Sequence, residues 1–332
     1  MSALLQVTDA KVHFPGAGGW LHAAPPLRAV DGVSFDLAAG ETLGVVGESG
    51  CGKSTLARAV LGLQPLTAGR VLFDGAPLPD QTRSARMAYA RAAQLIFQDP
   101  LAALNPRMRI GAALAEPLVT HAPSMSRAER DARVAELLEQ VGLEASITRS
   151  FPHEVSGGQA QRIGIARAMI LRPHLLICDE PVASLDVSIQ AQILVLLRRL
   201  QADYGVAMLF ISHDLSVVRR IAHRVMVMYL GRVVEVGPVG AVFANPRHPY
   251  TRALIDAVPR PDPATERGRT RILLIGDLPS PSAPPSGCTF RTRCPLAEPA
   301  CAQAVPPLAP AGSPGHLVAC PVVLRENALT PA

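Results

Sequence analysis

The chain has 332 residues, 48% of them hydrophobic and 18% charged, with a formal charge of +5, which is length enough for two domains and a substantial core. So mild a charge, with only 4% aromatic residues, argues against a dedicated reader of RNA or single strands, which needs stacking platforms as well as cations. No run approaches the roughly 18 to 20 apolar residues of a membrane span, and 1–9 lack the basic-then-apolar order of a secretory signal. The expected place is therefore the cytosol, on a membrane only through a partner, with cysteines reduced unless they bind something.

The 32 basic residues are 30 Arg and only two Lys, Lys11 and Lys53. Lys53 closes the first motif in the chain. The apolar run Leu43–Val46 reads as a strand and leads directly into Gly47-Glu48-Ser49-Gly50-Cys51-Gly52-Lys53-Ser54, which fits G-x-x-x-x-G-K-[ST]. Glycines let the backbone curl so that successive N–H groups meet phosphate oxygens, and the next helix adds its positive N-terminal end. Lys53 would reach the β- and γ-phosphates, the Ser54 hydroxyl would ligate Mg²⁺, and Thr55 follows them in the nucleotide-binding set. A planar Arg fork does not fit a cradle built for a compact ammonium. The competing reading is a chance glycine turn, which the preceding strand disfavours.

Leu95–Phe97 is the next strand candidate, ahead of Gln98. Between Asp99 and Val155 strand signals vanish and an all-helical insert is expected. Within it Ser126 and Glu129 form a capping box, followed by Val134, Leu137, Leu138 and Val141 on one face before Gly142. Val155-Ser156-Gly157-Gly158-Gln159 precedes a helix over Ile163–Ile170 and makes a second anion-binding N-terminus. Since the phosphate loop is already complete, its economical use is on nucleotide held by another subunit. An ordinary helix cap is the alternative.

Leu175–Cys178 reads as a strand ending in Asp179 and Glu180: Asp179 placed for the Mg²⁺ shell, Glu180 for polarising the attacking water. Ile189, Ile193, Leu196, Leu197 and Leu200 mark an amphipathic helix, Ala207–Ser212 a strand, and Val225–Leu230 with Val233–Val236 a hairpin turning at Gly231-Arg232. Strands alternating with helices indicate a parallel α/β fold. From 259 onward the chain holds 15 of its 31 prolines, so a boundary is drawn at 258.

The ordered set of phosphate loop, Gln98, Val155–Gln159, Asp179-Glu180, Ser184-Leu185-Asp186 and His213 resembles the nucleotide-binding subunit of ABC transporters over about residues 4–258. The resemblance implies a P-loop NTPase (RecA-like) α/β core with an antiparallel β subdomain and a helical subdomain at about 99–164, within a nucleotide-binding domain of 1–258. It implies that Gln98 contacts Mg²⁺ and water, that Asp186 lies in a loop crossing a dimer interface, and that His213 contacts the γ-phosphate. Ser156, Gly157, Gly158 and Gln159 would face ATP of the partner subunit, and Phe14, with Trp20 as rival, would stack on adenine. Ala160 departs from the family's basic residue after the signature, so a changed surface contact is expected there.

Asn245–Thr251 (NPRHPYT), Glu48–Ser54, Phe97–Pro106 and Gly287–Pro295 (GCTFRTRCP) resemble the oligopeptide/dipeptide importer branch, nearest to its second ATPase subunit. That branch also takes up nickel, glutathione and other small solutes. The implied partners are a homologous ATPase subunit (heterodimer or homodimer), two integral-membrane permeases and an extracytoplasmic solute-binding protein, with no nucleic acid. The implied location is the cytoplasmic face of the inner membrane, peripherally bound. A soluble ABC ATPase acting on ribosomes or DNA is the remote alternative, disfavoured by a single cassette without a heptad run.

The extension at 259–332 is Pro-rich and holds Cys288, Cys294, Cys301 and Cys320. It lacks the short C-x₂₋₄-C knuckle usual for zinc. Four thiolates in a core-poor tail suit a [4Fe–4S] cluster, which the resemblance supports; a zinc site and plain thiols remain the alternatives. His316 is expected at the surface, and Cys51 and Cys178 as structural thiols.

Overall fold

The computed structural model describes residues 3–16, 25–78, 82–258, 274 and 276–329. Trp20 lies outside the described residues. In chain order the strands are Ala3–Phe14 (β1), Leu27–Ala38 (β2), Thr42–Val46 (β3), Ala68–Phe73 (β4), Ala76–Pro77 (β5), Ala93–Ile96 (β6), Leu175–Asp179 (β7), Ala207–Ile211 (β8), Arg224–Tyr229 (β9), Arg232–Pro238 (β10), Ala309–Pro310 (β11) and Leu317–Val318 (β12). The helices are Lys53–Val60 (α1), Arg83–Ala92 (α2), Ile110–His121 (α3), Arg127–Gln140 (α4), Gly157–Met169 (α5), Val187–Tyr204 (α6), Leu215–Ile221 (α7), Val239–Ala244 (α8), Pro249–Ala257 (α9) and Pro321–Leu329 (α10). The chain divides into two compact units, one of residues 1–4, 37–42 and 76–211, the other of 5–36, 43–75 and 212–332.

In the first unit β6, β7 and β8 run parallel, with Ile177 opposite Leu95 on one side and Leu209 on the other. Leu175–Cys178 and Ala207–Ile211 are wholly buried, as continuous apolar runs in parallel sheets are, because both faces are covered. The insert is helical as expected. In α4 the Ser126 hydroxyl accepts from the Glu129 N–H at 3.3 Å while the Glu129 carboxylate accepts from the Ser126 N–H at 2.6 Å. Val134, Leu137 and Leu138 are buried behind this cap. Asp186 caps α6 by accepting from the Ser188 and Ile189 N–H groups, and Ile193, Leu196, Leu197 and Leu200 form its buried stripe.

The second unit holds one antiparallel and one mixed arrangement. β1 pairs with β4, with β2 on its other side. β3 runs parallel to β9, which turns into β10; β10 pairs with β12, and β12 with β11. The hairpin register pairs Tyr229 with Arg232, so the turn is Leu230-Gly231, both at positive φ, rather than Gly231-Arg232. Residues of the Pro-rich extension thus share a compact unit with the phosphate loop.

Candidate nucleotide site

In the second unit β3 is fully buried and delivers the chain into the Gly47–Ser54 loop. A Cβ at Gly52 (φ +103°) would stand 2.0 Å from the Ala29 carbonyl oxygen, and one at Gly47 would stand 2.2 Å from that of Met228. Neither approach tolerates a side chain, so the loop is drawn tightly onto β2 and β9. The Gly231 N–H donates to the Cys51 carbonyl at 2.9 Å, tying the loop to the hairpin turn. Lys53 is 5% exposed, and its Nζ donates to the Gly47 and Glu48 carbonyls at 2.8 and 3.0 Å. Its ammonium therefore lies across the loop, where a polyphosphate would find it. Helix α1 begins behind Gly52 with no side-chain cap and no acid in its first turn. Its first N–H groups and positive dipole end suit an anion. Ser54 and Thr55 are half-buried in that first turn.

Glu48 is held from two directions. Its N–H donates to the Tyr250 hydroxyl at 2.8 Å, and its carboxylate pairs with Arg293. Burial raises the Tyr250 phenol, so the hydroxyl stays neutral and accepts. Tyr250 is set by its own helix start: the His248 Nδ1 caps α9 by accepting the Tyr250 N–H at 3.1 Å. Burial lowers His248 to about 4, which leaves that nitrogen unprotonated. Behind it, Glu235, fully buried, accepts from the Arg247 and His248 N–H groups, both at 2.8 Å, and meets His316 Nε2 at 2.7 Å. His316, expected at the surface, is thus 2% exposed, because a buried carboxylate needs its lone pairs satisfied.

His213 is exposed between buried Ser212 and the α7 cap Asp214. The Ser212 N–H donates to the Val45 carbonyl on β3 at 3.1 Å, which sets this segment beside the strand that feeds the loop. Phe14, half-buried, is the last residue of β1.

In the first unit β7 ends at Asp179, and the chain breaks sharply at Glu180, whose φ is +49°. This left-handed conformation is uncommon for a residue with a Cβ. The Glu180 N–H donates to the Ile211 carbonyl at 3.0 Å, which anchors the kink. The Gln98 Nε2 donates to Glu180 Oε2 at 3.2 Å, so two predicted residues 82 positions apart meet. Phe97, drawn as the end of a strand, is instead exposed, and β6 stops at Ile96. Polar geometry at the strand tips, with Asp179 and Glu180 half-buried, suits orienting a cation and a water.

Helix α5 starts at Gly157, so both signature glycines lie inside its first turn rather than ahead of it. Ser156 caps it, accepting from the Gln159 N–H at 3.3 Å while the Gln159 side chain accepts from the Ser156 N–H at 2.9 Å. Ser156, Gly157 and Gln159 are exposed, whereas Gly158 is half-buried and a Cβ there would meet Ile189 Cγ2 at 3.1 Å. Ala160 is fully buried, so the expected surface contact there does not arise; a basic side chain would have to be swallowed by the core. Asp186 is exposed, and hydrogen bonds led by the Ser188 hydroxyl hold its carboxyl below the usual range.

Cys51 and Cys178 are buried, and burial raises both thiols. In the extension the Cys288 N–H donates to the Cys301 carbonyl at 2.8 Å, and Cys288, Cys301 and Cys320 share a small core with Val318, Val322 and Val323. Burial, with a smaller contribution from neighbouring cysteines, raises Cys288, and raises Cys294 to about 11. Among the described residues no group of three or more His, Cys, Asp or Glu is placed to hold a metal ion. The donor chemistry suits a thiophilic metal, while the sulfurs are neighbours rather than an assembled ligand set.

The family model "ABC transporter" matches residues 30–183, and that of the oligopeptide/dipeptide transporter C-terminal region matches 234–301. The chain is 56% identical over 324 residues to the oligopeptide transport ATP-binding protein OppF of Escherichia coli, covering 96% of this chain and 95% of the relative. It is 48% identical to AppF of Bacillus subtilis, an oligopeptide transport ATP-binding protein, covering 96% of each. Among solved structures it resembles cbiO1 of Clostridium perfringens, part of the ABC transporter complex cbiONQ, at 28% identity and TM-score 0.64, over 74% of this chain and 92% of that one. A dimeric post-hydrolysis ATP-binding cassette, MJ0796, bound to ADP and phosphate is 26% identical with TM-score 0.63, over 71% and 98%.

Proposed function

From the premise that the chain belongs to the ATP-hydrolysing subunits of ABC transporters, in their oligopeptide/dipeptide branch, we propose that it energises uptake of oligopeptides or dipeptides. The Gly47–Ser54 loop with Lys53 lying across it is the observation that carries the reading. ATP binds with its phosphates on the loop N–H groups, Lys53 and the α1 N-terminus; Ser54 would hold Mg²⁺ from the loop, and in the first unit Asp179 and Gln98 are the residues whose chemistry would suit that ion. When bound, Mg²⁺ offsets charge on the phosphate oxygens. Glu180, placed by Gln98, takes a proton from the attacking water, and His213 contacts the γ-phosphate. Phe14 stacks on adenine.

A second, homologous ATPase subunit supplies the Ser156–Gln159 helix start to the first subunit's ATP, with Asp186 at the junction. Closure of the pair on ATP drives two membrane permeases, and hydrolysis resets them. The subunit sits peripherally on the inner membrane's cytoplasmic face, and no described helix is long and apolar enough to cross a membrane. A solute-binding protein delivers the peptide. The domain plan is a nucleotide-binding domain at 1–258 and an extension at 259–332.

Peptide-stimulated ATP hydrolysis by the reconstituted transporter tests this, compared with nickel and glutathione as alternative cargoes. Stimulation by either of those in place of peptide would reassign the cargo. For the four extension cysteines we propose a [4Fe–4S] cluster, supported by the gathering of three of them, Cys288, Cys301 and Cys320, in one small core. Anaerobically purified chain should then hold about four irons; one zinc per chain, or no metal, would overturn it.

A further inference from the structure

The phosphate loop is gripped by the C-terminal extension. Arg293 donates Nη1 to Glu48 Oε2 at 2.8 Å and Nη2 to Glu48 Oε1 at 3.1 Å, a two-pronged pair in which the Arg293 side chain is 9% exposed. Its guanidinium lies 5.9 Å from the Tyr229 ring centre. Three residues earlier, Phe290 is fully buried and packs edge-on against Tyr229, ring centres 5.2 Å apart, and tilted against Tyr250 at 5.4 Å. The turn between them is closed by the Arg293 N–H donating to the Phe290 carbonyl at 3.0 Å. Phe290 thus seats the segment and Arg293 reaches into the loop from it, while Tyr250 holds the Glu48 N–H.

The Glu48 carboxylate has no use in phosphate binding. A negative charge within a loop built for a polyphosphate opposes its ligand, unless something cancels it. Arg293 cancels it and, being planar and two-pronged, also orients it. We propose that Arg293 is a positioning residue for ATP: by pairing with Glu48 the extension neutralises and shapes the phosphate loop, so nucleotide affinity depends on it. This deepens the ATP-site reading and rests on it.

The test is equilibrium binding of a non-hydrolysable Mg-ATP analogue to the full-length chain, with steady-state hydrolysis by the assembled transporter. Arg293→Met should weaken binding about tenfold and raise KM, with kcat at saturating ATP unchanged, since Arg293 touches no reacting atom. Arg293→Lys keeps the charge but not the fork, and should recover about half of that loss on a logarithmic scale. In a Glu48→Gln background Arg293→Met should cost less than about twofold, because no charge remains to cancel. Unchanged affinity in Arg293→Met, or an equal loss in the Glu48→Gln background, overturns the proposal. If Arg293→Met does not fold, Arg293→Lys decides, and wild-type affinity there overturns it. Failure of the wild-type chain to bind the analogue, or equal binding by Lys53→Ala, would instead refute the ATP site itself.

Discussion

Replacing Glu180 by Gln separates chemistry from structure at the acidic strand tip. The amide is nearly isosteric, and its oxygen still accepts from Gln98 Nε2, now 3.2 Å from Glu180 Oε2. The backbone features are indifferent to the change: φ is +49° for either residue and the N–H bond to Ile211 persists. The fold should therefore lose no more than about 0.5 kcal/mol, the usual range for a half-exposed isosteric substitution. Loss of the base should slow turnover at least about a hundredfold, or about 2.7 kcal/mol of barrier. Phosphate release in a single turnover reads the chemistry, analogue binding reads the ground state, and a melting curve reads the fold. Turnover within about tenfold of wild type, with binding intact, would remove Glu180 from the role of base.

Other expectations follow from the same geometry. Gly52→Ala must place a Cβ 2.0 Å from the Ala29 carbonyl and should both lower the melting temperature and abolish nucleotide binding. Gly50→Ala, with nothing within 4 Å, meets only backbone strain of about 1–2 kcal/mol; an equal effect of the two would refute the close-packing account. His316→Ala removes one of three partners of fully buried Glu235 and should cost about 3 kcal/mol. A loss under about 0.5 kcal/mol in denaturant unfolding would show the carboxylate is satisfied otherwise. His248, lowered to about 4 by burial, stays neutral in the folded chain while an unfolded histidine titrates near 6.5. Between those values the unfolded state binds the extra proton, so stability falls as pH drops from about 6.5 to about 4. His248→Asn keeps a helix cap without that titration, and its melting temperature should fall less over this window than that of wild type. Parallel curves would refute the assignment.

The strands at 43–46, 175–178 and 207–211 were legible because each is a short apolar run next to a motif with chemical meaning, whereas the one expected at 95–97 lies at 93–96, its start hidden by polar Gln94. The α4 cap and stripe were legible because every partner lies within a turn or two. β1 was not recognised. Its alternation changes parity where the register with β4 shifts between Thr8 and Lys11, so Leu5 and Val7 face the core, then Ala10 and Val12 do. A bulge resets which face a residue takes, and a period-two reading then fails. Asp9, at φ +46°, was the local trace of it.

Sequence alone determined the residue types at the nucleotide site, because phosphate chemistry demands a glycine turn, one ammonium and a hydroxyl at fixed spacing. The Lys11 ammonium pairs with Asp9, at 3.3 Å. Tertiary structure decided the long-range partners within each unit. Only folding could bring Gln98 to Glu180, His316 to Glu235 and Arg293 to Glu48, across separations of 82, 81 and 245 residues. None of these partners is marked by local pattern, because the need of a buried or ligand-facing carboxylate for a donor is satisfied by whichever segment the fold carries past it.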